Sequence, residues 1–323
     1  MPKNRDVVID SLRGFACLLL VSYHVIGSTD ANGLNQSEGF YRNLNDFLVY
    51  IRMPLFTFLS GYVYANRPYQ KDMKGYIKGK ARRLLLPMLY VGTIFAFLQS
   101  VIFDSNSEIE SWHLIHIIPV AHFWFIEAVF IIFLCMIFLE HFNFLSTRFR
   151  FSIVFFFSTI FYISNVNINV EYFALSGSIY LFPYFLFGLF VNRFDLVGRV
   201  NNVQSLALAF ITLFILWCIS NDYILVVTKH SYIPLLIGCL SCFVLISLKF
   251  KSEFLARIGV FSYGIYLYHV FFTAGSRILF TNLGVTNVTF LFIVSLSIGV
   301  FGPIWVDISF SKHSFLRKNF LGK

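Results

Sequence analysis

The sequence predicts an all-α polytopic membrane protein: about ten transmembrane helices in a single membrane domain, residues 1–323, with both termini in the cytoplasm. Three observations predict it. The 323 residues are 58% hydrophobic, 20% aromatic and only 13% charged, where a soluble domain carries about 45–50% apolar and about 25% charged residues. The apolar residues fall into ten runs long enough to approach the roughly 20 residues that a bilayer crossing requires. The basic residues alternate between the connections in the manner of the positive-inside rule. This composition, with a mean hydropathy of +0.74, excludes a soluble enzyme, a disordered chain and a disulfide scaffold.

The expected spans are 8–28, 44–65, 84–103, 117–139, 151–165, 171–191, 203–220, 231–248, 258–279 and 286–308. The first follows Lys3 and Arg5 but lacks a small-residue cleavage site, so it reads as a retained helix and not a signal peptide. With the N-terminus inside, only Arg42, Lys229 and Arg277 of the 25 basic residues fall in outside loops, and only Arg13 and Arg52 lie within spans. The net charge of +9 therefore suits cytoplasmic loops against anionic lipid and does not call for nucleic acid. Cys17, Cys135, Cys218, Cys239 and Cys242 all sit in apolar runs and read as buried thiols.

An ionisable residue at membrane depth is expensive and marks a partner or a function. In the first span Asp10 and Arg13 are three apart and share a helical face. His24 follows eleven residues after Arg13, on the same face and roughly 16 Å further along the axis. One stripe thus offers a cation and, deeper, an imidazole able to take a proton. The second span holds Arg52, for which Asp46 or Glu127 is the expected partner. It also holds Pro54, expected to kink the helix, Ser60 as a packing hydroxyl or nucleophile, and Gly61 for close helix approach. The basic stretch from Arg67 to Arg83 reads as a cytoplasmic loop. It serves either lipid headgroups or the phosphates of a cofactor, Lys80 and Arg83 above all. His113, His116, His122 and Glu127 invite a metal, but they straddle a loop, a proline and a helix start without an H-E-x-x-H helix, so no metal is expected. Trp124 suits the interfacial aromatic belt, and Glu127 is a candidate base or charge partner. In the ninth span Tyr266 and His269 are i, i+3 neighbours. Glu171 and Asp307 are expected at the interface.

These residues carry a resemblance. The run Asp10-x-Leu12-Arg13-Gly14 followed by His24, then Phe58-Leu59-Ser60-Gly61-Tyr62, Lys80-x-x-Arg83-Leu-Leu-Leu-Pro87, Phe123-Trp124-Phe125 and Ser262-Tyr263-Gly264-Ile265-Tyr266-Leu267-Tyr268-His269 resembles, in order, the acyltransferase-3 family of integral membrane acyltransferases. Lys80 departs from the paired arginines common there, keeping charge without bidentate geometry. The chain resembles the stand-alone form, without an appended hydrolase-like domain. The resemblance implies an acyl-CoA donor, by default acetyl-CoA. It implies a carbohydrate or glycolipid acceptor in a bacterial cytoplasmic membrane, and O-acetylation of a surface polysaccharide or its lipid-linked precursor. On that footing Arg13, Lys80 and Arg83, with Ser60 and Tyr62, are expected to hold the donor. His24 is expected to act as general base, with Glu127 as a second catalytic residue. Asp10, Arg52, Trp124, Tyr266 and His269 are expected to bind substrate or shape the site.

Three other readings compete. A transporter or flippase of lipid-linked sugars would use intramembrane charges too, but the chain shows no repeated halves. A polysaccharide polymerase would need a larger outer loop than 29–43. A structural scaffold leaves Arg13, His24, Arg52 and His269 without a purpose.

Overall fold

A computed structural model describes residues 6–102, 111–164, 172–221, 223–226, 228 and 230–323. Lys3, Arg5, Glu171 and Lys229, and the expected span ends 103, 165 and 171, lie outside the described residues. The described chain is helical: α1 (Val7–Ile26), α2 (Phe40–Phe47), α3 (Arg52–Tyr64), α4 (Met73–Val101), α5 (Trp124–His141), α6 (Arg148–Ser164), α7 (Leu175–Arg193), α8 (Asn202–Ser220), α9 (Tyr232–Ser247), α10 (Glu253–Gly259), α11 (Ser262–Asn282), α12 (Val288–Phe310) and α13 (Ser314–Leu321). Each expected span meets a helix. Among the described residues seven helical segments are long and apolar enough to cross a membrane, and an eighth if α10 and α11, bent by 80°, count as one span. The apolar α9, with 16 residues, is shorter. The chain is an all-α, multi-pass integral membrane protein.

Polar side chains set the helix ends. Asp6 accepts from the amides of Val8 and Ile9 to start α1, and Gly27, at a φ of 106°, ends it. The expected span 44–65 is interrupted between α2 and α3. Pro54 therefore falls in the first turn of α3, where its missing N–H has no helical acceptor to lose, and it does not kink a continuous helix. The basic stretch before residue 84 is also helical: Asp72 caps the amide of Gly75 at 2.9 Å, and α4 starts eleven residues earlier than expected. Lys, Arg and Ala favour helix there, so Lys74, Lys78, Lys80, Arg82 and Arg83 stand on a helix, while Arg67 and Lys71 lie in the connection before it, as expected.

The chain forms two compact units. The first takes the residues up to Arg52, Lys249–Leu321 and Lys323, and packs α1 against α10, α11 and α12. α1 and α10 approach through reciprocal glycines: a Cβ on Gly14 would overlap the Leu255 carbonyl, and one on Gly259 the Asp10 carbonyl. Ser11 Oγ accepts from the Ser252 amide at 3.0 Å at the cap of α10. Asp307, near the end of α12, is buried and receives Lys323 Nζ at 2.6 and 2.8 Å.

The second unit takes Met53–Leu248 and Gly322. Its core joins Ala128, Val129, Ile132, Phe133 and Met136 of α5 to Leu181, Phe185, Leu186 and Leu189 of α7. α3 meets α7 by the same device: Gly61 faces the Phe185 carbonyl and Gly188 the Phe58 carbonyl, each leaving no room for a Cβ. Arg193 pairs with Glu140. Of the cysteines, Cys17, Cys239 and Cys242 are buried, but Cys135 is exposed and Cys218 half-buried, because α5 and α8 each turn one apolar face outward.

Candidate functional site

In the first unit the polar residues of α1 fall at its two ends. Arg13 Nη1 donates to Asp10 Oδ1 at 3.1 Å, the expected i, i+3 pair, and a third of the Arg13 side chain stays exposed. His24 lies in the last turn of the helix. Its ring meets His269 edge to face at 4.7 Å and Tyr23 at 5.0 Å between centroids. His269 is fully buried. Its Nδ1 lies 2.9 Å from the carbonyl oxygens of Ile265 and Tyr266. Carbonyl oxygens only accept, so in the neutral ring Nδ1 carries the hydrogen and Nε2 bears the lone pair. Tyr266 packs 6.2 Å from the same imidazole. The structure thus brings His24, Tyr266 and His269 together within one unit.

Arg52 is 5% exposed, and its partner is neutral. Its Nη2 donates to the backbone and side-chain oxygens of Asn45, the latter at 2.5 Å. No ion pair to it occurs among the described residues, which corrects the expectation of a carboxylate. Asp46, on the same turn of α2 as Asn45, acts on the guanidinium only at longer range. The guanidinium carbon stands 4.6 Å from the centroid of the Tyr23 ring. Asn45 and Tyr23 were not singled out in the sequence. A lone arginine in an apolar run signals that a polar neighbour exists, but the helix break between α2 and α3 hides which one.

In the second unit Lys80 turns inward, its Nζ 3.3 Å from the centroid of Phe133 and 5.3 Å from that of Tyr76, while Arg83 is exposed. Ser60 Oγ donates to the Phe56 carbonyl of its own helix at 2.9 Å, the bond of a packing hydroxyl. Tyr62 packs 6.1 Å from Phe58, and its carbonyl accepts from Asn192 Nδ2 at 2.7 Å. Trp124 opens α5, half-buried against Gly177 of α7.

Glu127 is 5% exposed, and neither carboxylate oxygen has a hydrogen-bond partner among the described residues. Met88, Gly92, Ile115, His116, Val120 and Phe123 line a tight crevice with it, too narrow to admit a water molecule. Thr93 Oγ1 holds His116 Nε2 at 3.0 Å, and burial lowers the His116 pKa below the ordinary imidazole value. His122 lies tilted against Phe123 at 4.2 Å and meets Phe95 edge to face at 5.5 Å between centroids.

An acyltransferase domain family model matches residues 6–306. The nodulation protein NolL of Mesorhizobium japonicum is 32% identical over 149 residues, which is 44% of this chain and 38% of NolL. The chain thus spans well under two thirds of that relative's length. No solved structure matches. The family match covers both units and every motif quoted above, from Asp10 to His269, and the chain belongs to the acyltransferase-3 family of membrane acyltransferases.

Proposed function

We propose that this acyltransferase moves an acyl group, acetyl by default, from acyl-CoA to a hydroxyl of a surface polysaccharide, a glycolipid or a lipid-linked precursor, in a bacterial cytoplasmic membrane. The observation that carries the reading is the His24–His269 contact of 4.7 Å. His24 is the general base: it takes the proton of the acceptor hydroxyl as that oxygen attacks the thioester carbonyl, and returns it to the departing thiolate. His269 is a positioning residue. Two backbone carbonyls fix its tautomer, and its buried ring holds the His24 imidazole in place. Direct transfer is favoured over an acyl-enzyme, because Ser60 donates back to its own helix and no base is hydrogen-bonded to it among the described residues.

Arg13, paired with Asp10 but partly exposed, is the cation proposed for the donor's phosphates in the first unit. Arg83, exposed, has the same chemistry in the second. Lys80 suits that role less, with its ammonium over Phe133. Glu127 is proposed as a carboxylate that accepts from acceptor hydroxyls, since its oxygens lack protein donors among the described residues. The test is transfer of labelled acetyl from acetyl-CoA to endogenous glycolipid in membranes that carry the chain. Label in the glycolipid, dependent on the chain, supports the reading. Translocation of glycolipid without acetyl-CoA consumption would overturn it in favour of a transporter.

A further inference from the structure

Arg52 is the buried charge for which the proposed chemistry has no use. It is 95% sequestered, its Nε is buried without a hydrogen-bond partner among the described residues, and its hydrogen bonds there go to the neutral Asn45. A buried charge whose direct partners are neutral is disfavoured unless something else supplies the opposite sign, and the carboxylate of Asp46 acts on Arg52 only at longer range. Asn45 also fixes its position. The amide accepts from Arg52 through Oδ1 and donates through Nδ2 to the Gly27 carbonyl at 3.0 Å, so the guanidinium is tied to the end of α1 just past His24. Tyr23 neighbours both, with its ring 4.6 Å from the Arg52 guanidinium carbon and 5.0 Å from the His24 ring. Arg42, a further cation on α2, is engaged with the carbonyls of Gly27, Thr29 and Gln36.

We infer that Arg52 is a pre-organised cation that stabilises the negative charge developing on the acyl carbonyl oxygen during transfer. The inference rests on the general-base reading of His24. As the acceptor oxygen bonds to the thioester carbon, its proton passes to His24 and the carbonyl π pair moves onto oxygen. On collapse the pair returns, the carbon–sulfur bond breaks, and the thiolate takes the proton from the imidazolium. Charge separates only in the transition state, so a fixed cation in a low-dielectric site favours that state over the ground state. A neutral cradle is what this role requires: a carboxylate at position 45 would cancel the field.

The experiment compares initial rates of labelled acetyl transfer from acetyl-CoA by the full chain in nanodiscs, with thermal unfolding of each variant measured alongside. Arg52→Gln removes the charge, and Arg52→Lys keeps it. Asn45→Asp keeps Arg52 and its acceptor but neutralises the pair. The expected result is a loss in kcat of about 100-fold or more for Arg52→Gln, the size seen when one oxyanion donor is removed. A comparable loss is expected for Asn45→Asp, with KM within about threefold, and Arg52→Lys retains at least about tenfold more activity than Arg52→Gln. Asn45→Asp at the wild-type kcat, with Arg52→Gln impaired and less stable, makes Arg52 a structural strut and overturns the inference. So does Arg52→Gln at the wild-type kcat. A wild-type chain that transfers nothing from acetyl-CoA overturns both this role and the reading it rests on, whereas active wild type with insensitive variants overturns this role alone.

Discussion

The two units close their helices by one device and differ in how they hold particular buried polar groups. In the first, Gly14 and Gly259 bring α1 and α10 together; in the second, Gly61 and Gly188 do the same for α3 and α7. The first unit then holds its polar groups firmly. His269 is tied to two carbonyls, Arg52 to Asn45, Arg13 to Asp10 and Asp307 to Lys323. The second pairs Arg193 with Glu140, but leaves the Glu127 carboxylate without a hydrogen bond among the described residues and lays Lys80 on an aromatic ring. Fixed groups suit chemistry, which needs orientation before the substrate arrives. An unsatisfied carboxylate suits binding, because a ligand can complete its hydrogen bonds.

Of the variants that probe this contrast, those of His269 should show the largest effect. His269→Ala removes a fully buried ring and the support of His24; transfer should fall by about 100-fold or more together with the thermal midpoint. His269→Asn offers an amide N–H to the same two carbonyls, so it should recover most of the stability but little of the rate. Equal recovery of both would make His269 purely structural.

Next come the glycines. Gly14→Ala and Gly61→Ala each drive a methyl into a backbone carbonyl, and each should cost about 1–3 kcal/mol or more of overpacking. Gly79 and Gly275 face open space, and alanine there should be neutral or stabilise by up to about 1 kcal/mol. Thermal unfolding in detergent reads the contrast, and equal effects at packed and open positions would deny that these glycines set the helix approach.

Glu127→Gln removes a buried charge without changing shape. It should leave the thermal midpoint unchanged or raise it by an amount worth about 1 kcal/mol, and should raise the KM for the acceptor about tenfold. A lower midpoint with unchanged KM would place Glu127 in the framework. The smallest effect belongs to Ser60→Ala, which loses one hydrogen bond within α3. Its rate should stay within about twofold of wild type and its stability within about 0.5 kcal/mol; complete loss of transfer would restore Ser60 as a nucleophile.

Much of this was legible in the sequence, because periodicity and hydropathy are local. All ten apolar runs became helices, and the Asp10–Arg13 pair and the Gly61 approach follow from spacing alone. What was hidden depends on breaks and long-range contacts. The interruption before Arg52 turned Pro54 into a first-turn residue and put Asn45, not a carboxylate, beside the guanidinium. Asp72 carried α4 back through the basic stretch, which separated Lys80 from Arg83 by exposure. The neighbouring rings of His24 and His269 lie 245 positions apart in the chain (269 − 24), and no periodicity reports such a contact.

The most direct test of the central claim is the O-acetyl content of the host's surface glycans in three strains: gene deleted, wild type restored, and His24→Ala restored at matched protein level. The account predicts acetyl restored by wild type and absent with His24→Ala. Equal acetyl content in all three strains would contradict it.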